Sequence, residues 1–496
     1  MTTLTAPPGT ASVRDRDVPV GLFIDGAWRQ AARTFAVLNP ATGAVVAEVA
    51  DGTPAEARDA LDAAVGAQKG WRDVLPRDRA DLFHRAHRLL LERRQHIVEM
   101  MTLESGKPLA ESDGEFQLSA DFFLWYAEQI AHLHGSYAHG SRGAYRVVTT
   151  HQPVGPCLLI TPWNFPLLMI ARKAGAALAA GCTVVVKSAQ ETPLTCALFV
   201  EVLADAGFPT GVVNLVHTTG SSALSAELMA DPRLRKVSFT GSTGVGSTLL
   251  TQAAAHITNA SMELGGDGPF VVLEDADLDL AAEQAIVCKF RNAGQACVAA
   301  NRIIVQESIA EAFTERFVAL TEALRVGDGF DPGTEIGPII SAKQRDRVVD
   351  LVAGFADADA ELLTGGRALP GEGYFFEPTV FKVHDRDNDL CRQELFAPVA
   401  TIYTVGSTAE AVEVANDTSY GLAAYVFTKD LSRALAVAEQ LDFGMVGVNR
   451  GIMADPAAPF GGIKASGLGR EGGHGAIYEF LEPKYLAITV DEDVLA

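Results

Sequence analysis

Hydrophobic and polar positions change rhythm several times along this chain. Residues 20–50 read as short strands broken by turns, GLFIDGAWR and then NPATGAVVAEV. Residues 54–106 place Ala and Leu at helical spacing among charges, as in DLFHRAHRLLLERRQHIVEMM, and 114–134 continues as a helix. From about residue 153 strand and helix alternate. CLLITPWN is strand-like, KAGAALAAG is a small-residue helix and TVVVKSA is a buried strand. PLTCALFVEVLADAG is a helix, GVVNLVH a strand, KVSFTGS another strand, and a helix starts at Thr243. Continuous Val-rich strands separated by helices predict a parallel sheet covered on both faces. A second alternating region starts near residue 259, from PFVVLEDAD through NRIIVQ and ATIYTV to LAAYVFT, and predicts a second α/β domain. YRVVTTHQP (145–153) and YLAITV (485–490) read as strands outside both cores, of the kind that pairs with another subunit.

Length and composition narrow the class. A chain of 496 residues is too long for one core. A net charge of −22 argues against nucleic acid or a membrane surface as partner, because phosphates are held by Lys and Arg clusters. The six cysteines form no CxxC pair, so neither a disulfide framework nor a zinc site is expected, and a reducing cytoplasm suits them best. The first seventeen residues lack the apolar core of a signal peptide and read as a frayed tail. The longest apolar run, AGAALAAGCTVVV, is too short to span a bilayer.

Four stretches carry candidate chemistry. In RNAGQACVAANR, Cys297 stands among small and polar residues that offer little to a core, and no histidine is near. FTGSTGVGST (239–248) follows a strand and opens a helix, a place where backbone N–H groups and the helix dipole favour an anion. Ser247 occupies the position where a P-loop needs lysine, and the GxGxxG fingerprint is absent. A plain strand-to-helix turn explains the stretch equally well. SMELGGDGP puts Glu263 before paired glycines, either as a general base or as a surface turn residue. TPWNFP holds Asn164 in a rigid loop, suited to an oxyanion or simply to a turn.

Together these stretches resemble the aldehyde dehydrogenase superfamily. TPWNFP, KSAQETP, FTGST, MELGG, GQACVAANR, QELFAPV and PFGGIKASGLGRE follow in the family's order and spacing over nearly the whole chain. The resemblance implies an α/β fold of two parallel-sheet domains plus a small β oligomerisation element. Residues 1–130 and 154–258 would form the Rossmann-like cofactor domain and 259–468 the catalytic domain. Residues 131–153 and 469–496 would form the oligomerisation element of a homodimer or homotetramer. It implies that Cys297 is the nucleophile and that Asn164 and the Cys297 backbone N–H hold the oxyanion. Hydride transfer to the nicotinamide would leave a thioester, which Glu263 hydrolyses through water. The cysteine is expected to be partly thiolate near neutrality, and Cys288 to be core. A cofactor-free cysteine acyl-transferase or hydrolase is the competing class.

The same resemblance assigns Trp163, Lys187, Gln190, Gly241, Ser242, Leu264, Gly265, Glu394 and Phe396 to the nicotinamide dinucleotide. NAD-preferring members usually carry glutamate where this chain has Gln190. A carboxylate repels a 2′-phosphate and an amide does not, so NADP is expected ahead of NAD, although Glu191 lies next door. No metal is expected. The nearest subfamily is the succinate-semialdehyde dehydrogenases, which implies that Arg172 and Arg291 grip the substrate carboxylate. Two departures stand out. Ala454 lies where subfamily members carry a carboxylate-binding serine, which leaves room for a different semialdehyde. Ala299 replaces the second cysteine of redox-switch variants. Uncharged or other small aldehydes are the alternative substrates.

Overall fold

The computed structural model describes residues 10–386 and 388–491. Two large sheets carry the fold. The first has eight strands. Its five central strands, Asn259–Glu263, Lys236–Thr240, Cys157–Ile160, Val184–Lys187 and Val213–Val216, run parallel in that spatial order. Gly467–Leu468 closes one edge and the hairpin Leu22–Ile24/Ala27–Arg29 the other, both antiparallel. All four residues of Val184–Lys187 and of Val213–Val216 are buried, as continuous apolar strands under helices must be.

The helix Pro166–Ala180 is buried at every position, which explains its alanine and glycine content. A Cβ on Gly175 would lie 2.5 Å from the Tyr126 ring, so glycine lets the helix Leu109–Gln129 approach closely. The second sheet has seven strands. Thr379–Val383, Val399–Val405, Ala300–Gln306, Gly268–Val272, Ala423–Phe427 and Met445–Val448 are parallel, and only Ala360–Thr364 is antiparallel.

The structure corrects three sequence expectations. Asn259–Glu263 pairs with Lys236–Thr240 in the first sheet, so the crossover to the second sheet comes after Glu263 and not at residue 259. The supposed tail contains a hairpin, Thr10–Val13 with Arg16–Pro19, turned by Arg14 and Asp15 at positive φ; Val13 and Val18 are buried. Residues 1–9 lie outside the described residues. The strand Tyr145–Pro153 pairs along its whole length with Leu481–Thr489, and Ser136–His139 adds a third strand. Tyr145–Pro153 thus spends both edges inside the chain, and Leu481–Thr489 and Ser136–His139 are the outer strands. Tyr137, Tyr485 and Ile488 project from this small sheet and are exposed.

Candidate active site

The parallel strands of the first sheet end on one side, and that side carries the chemistry. Strand order reverses between Cys157–Ile160 and Lys236–Thr240, which opens a crevice at their C-terminal ends. The loop after Ile160 supplies Trp163 and Asn164, and the strand ending at Lys187 supplies that lysine. The strand ending at Thr240 leads into Gly241 and Ser242, and Glu263 closes its own strand.

Two adjoining stretches of cleft follow. The outer one is lined by Lys187, Gln190, Glu191, Ser221, Ser222 and Gly241, among others. Lys187 is buried, and burial pushes its pKa below the usual lysine range. The inner stretch shares Trp163 and Gly241 with it and adds Asn164, Ser242, Glu263, Leu264, Gly265, Cys297, Glu394 and Phe396. All nine residues assigned to the cofactor therefore line one continuous crevice. Trp163 and Phe396 meet edge to face at 5.4 Å. Glu394 Oε1 accepts the Gly266 N–H at 3.1 Å, and burial lifts its carboxyl to about 7. A Cβ on Gly265 would lie 2.7 Å from Glu394 and one on Gly266 2.4 Å from the Cys297 carbonyl oxygen, so this glycine pair admits only bare backbone. A buried lysine, a glycine floor and a carboxylate beyond it fit an elongated, phosphate-bearing cofactor.

Cys297 sits at the inner end, on the loop that follows the helix Leu278–Phe290. Asn292 and Ala293 adopt left-handed φ of 52° and 54° and Gly294 follows at 71°, a sharp turn that lifts the cysteine into the cleft. Hydrogen bonds brace the turn: Gln295 Nε2 to the Asn292 carbonyl at 3.0 Å, and the Ile340 N–H to Gln295 Oε1 at 3.0 Å. Burial, reinforced by the Glu263 and Glu394 carboxyls, holds the Cys297 thiol well above its ordinary pKa. A thiol raised in this way gives up its proton less readily than a free cysteine. A base is required.

Glu263 meets that need. It is buried, burial raises its pKa to about 7 with Glu471 adding to the rise, and its carboxyl stands within hydrogen-bonding reach of the Cys297 thiol. Asn164 Nδ2 donates to the Gln295 carbonyl at 3.0 Å, so the amide is held beside the cysteine loop.

A second, mostly apolar pocket opens on the other side of Cys297. Arg172 and Arg291 both line it, with Phe165, Met169, Met453 and Phe460. Arg172 lies flat against Phe460, 4.0 Å from the ring centroid, and its Nε and Nη1 have no hydrogen-bond partner. Glu471 Oε2 stands 3.6 Å from Nη1, so the arginine is an ion-pair partner as well as a wall of the pocket. Arg291 lies over Phe165 at 5.0 Å. Ala454 is on the wall, as is Cys288, which is buried as expected but faces this pocket too.

Some participants had no sequence signal. Gln344 and Arg347, on the helix Ala342–Asp357, line the inner cleft. Arg347 also donates to the Glu394 and Leu395 carbonyls at 3.1 and 3.0 Å, which fixes the backbone that presents Glu394. They come from residues 331–398, where no element was read, and only the tertiary fold brings them to the crevice. Lys107 and Glu115 are buried beneath the Asn164 loop, and the half-buried Glu111 accepts the Asn292 N–H at 2.8 Å. No cluster of three metal-ligating side chains exists among the described residues.

A cysteine, a buried carboxyl and an amide converge at the end of a dinucleotide-shaped crevice, an arrangement suited to an aldehyde-oxidising dehydrogenase. The chain belongs to the aldehyde dehydrogenase family, whose model matches residues 28–486. It is 48% identical to a succinate-semialdehyde dehydrogenase of Paenarthrobacter nicotinovorans over 90% of this chain and 99% of the relative. It is 43% identical to a glutarate-semialdehyde dehydrogenase of Pseudomonas putida, covering 94% of this chain and 97% of the relative. A crystal structure of an E. coli NADP-dependent enzyme superposes with a TM-score of 0.94 at 42% identity, covering 95% of this chain and 98% of that one.

Proposed function

We propose that this enzyme oxidises an acid semialdehyde, succinate semialdehyde foremost, to the dicarboxylic acid, with NADP as the preferred oxidant. The observation that carries the substrate class is the pair Arg172 and Arg291 on an apolar pocket that also contains Cys297. Two guanidinium groups in such a pocket favour a carboxylate and reject a cation. Relatives named for succinate and glutarate semialdehydes support the reading.

Glu263 takes the Cys297 proton, since a carboxyl titrating at about 7 is substantially ionised at neutral pH. The thiolate adds to the aldehyde carbon, and the Asn164 amide and the Cys297 N–H hold the resulting oxyanion. Lys187, Gln190, Trp163, Gly241 and Ser242 would hold the adenosine and phosphate part of NADP, and Leu264, Gly265, Glu394 and Phe396 the nicotinamide end. When bound, the nicotinamide supplies the hydride acceptor. Collapse of the oxyanion leaves a thioester on Cys297. Glu263, once it has released the Cys297 proton to solvent, draws a proton from water, which attacks the thioester; the Cys297 thiolate leaves and the acid is freed. An amide at Gln190 tolerates a 2′-phosphate, and Glu191 beside it limits the preference.

A second reading, a longer acid semialdehyde such as glutarate semialdehyde, is favoured by Ala454, which supplies no hydroxyl to a short substrate. The domain assignment is offered with its boundary moved: a cofactor domain through Glu263, then a catalytic domain. The small sheet of residues 136–153 and 481–489 would build a homodimer or homotetramer. Six free cysteines suit a reducing cytoplasm. The test is the rate of cofactor reduction with succinate semialdehyde, glutarate semialdehyde, butanal and an aminoaldehyde, each with NAD and NADP. Arg172→Met and Arg291→Met should raise KM for the acids by roughly 100-fold and leave butanal nearly unaffected. Butanal rates equal to those of the acids would sink the carboxylate clamp, and a strong NAD preference would sink the cofactor assignment.

A further inference from the structure

We infer that Lys107 and Glu115 are positioning residues that aim the Asn164 amide at the reacting oxygen. The loop that carries Asn164 lies between Pro162 and Pro166, neither of which can donate a backbone hydrogen bond. Its hold comes from elsewhere. Lys107 Nζ donates to the Asn164 carbonyl at 2.7 Å and lies over the Phe165 ring at 4.4 Å. The same ammonium forms an ion pair with Glu115. Glu115 Oε1 in turn accepts the N–H groups of Leu167 and Leu168, at 3.0 and 3.1 Å, in the first turn of the helix Pro166–Ala180. One ion pair therefore grips the chain at Asn164 and again three and four residues later.

The pair is also tied to the cysteine loop. Asn292 Nδ2 donates to the same Asn164 carbonyl at 3.0 Å, and the Asn292 N–H goes to Glu111, one turn before Glu115 on the helix Leu109–Gln129. Asn164 and the turn before Cys297 thus share one anchor.

The side chains of Lys107 and Glu115 are 0% and 1% exposed. Burying an ion pair costs desolvation that an apolar pair would avoid, so packing alone does not explain it. What the charges add is direction: a fixed donor under one carbonyl and a fixed acceptor over two N–H groups. Neither residue lines the cleft or the substrate pocket, so each acts only through the backbone it holds.

The inference rests on Asn164 as the oxyanion donor, and a double-mutant cycle separates the two ideas. Asn164→Ala should lower kcat by about 100-fold. Lys107→Met alone should lower kcat by roughly 10- to 100-fold, yet by less than about 3-fold when Asn164 is already alanine. Alkylation of Cys297 by iodoacetamide develops no oxyanion and should keep its rate in Lys107→Met. Equal losses in both backgrounds, or a matching fall in alkylation, would overturn the positioning role. Full activity in Asn164→Ala would remove the oxyanion assignment, and this inference with it. Should Lys107→Met fail to fold, Glu115→Gln keeps the acceptor for Leu167 and Leu168 and removes the charge, and the same cycle applies.

Discussion

Glu263 joins stability to catalysis through one proton. Burial lifts its carboxyl to about 7, above the ordinary 4.5. The folded chain therefore keeps a proton that the unfolded chain releases once pH passes the usual carboxyl range. The contribution to stability is complete below pH 4.5 and declines as pH rises to about 7. Glu263→Gln should leave stability unchanged near pH 4.5. At pH 8 it should raise stability by up to about 3 kcal/mol, read by urea unfolding at the two pH values. The same variant loses the base for thiol activation as well as for thioester hydrolysis, so rapid mixing should record a slow first turnover without a burst and a steady turnover lowered about 100-fold. Normal turnover would refute its role as the hydrolytic base. Cys297→Ala should abolish oxidation while cofactor binding, followed by protein fluorescence, stays nearly intact. Cys297, Glu263 and Asn164, which the fold brings to one cleft, stand out in the sequence because each lies inside a short ordered motif. The titration of the cysteine does not, because it depends on carboxyls at positions 263 and 394 that only the fold brings near.

The turn from Asn292 to Gly294 sets where Cys297 stands. A Cβ on Gly294 would lie 2.0 Å from the Ala397 carbonyl oxygen, in a residue already at left-handed φ. Gly294→Ala should therefore displace the turn, lowering kcat by about 100-fold while far-ultraviolet circular dichroism stays native. Unchanged kcat would mean that the turn does not set the position of Cys297. Elements with one strong period were read well, such as the strand Tyr145–Pro153 and the helix starting at Thr243. Sheet membership was harder. The strand Asn259–Glu263 looks the same in sequence whichever sheet it joins, and hydrogen bonding to Lys236–Thr240 decides the matter. The hairpin of Thr10–Pro19 was missed because Arg14 and Asp15 take φ values that sequence reading reserves for glycine and asparagine.

The whole molecule places one crevice between two sheets and hangs a small third sheet outside them. No helix among the described residues is long and apolar enough to cross a membrane. The exposed Tyr485 and Ile488 on the outer strand suit a second copy of the chain. Tyr485→Lys with Ile488→Lys should reduce the particle mass measured by light scattering; an unchanged mass would place the interface elsewhere.

Local patterning was enough for the α/β class, for the family and for the candidate residues of the site, because periodicity and motif order are written in contiguous residues. Direction was not contained there. Lys107 reaches Asn164 across 57 positions, Glu115 reaches Leu167 across 52, and Arg347 reaches Glu394 across 47. Such pairings depend on how two sheets and their helices stack in space. Desolvation, which raises the pKa of Cys297 and Glu263, arises only when that stacking excludes water.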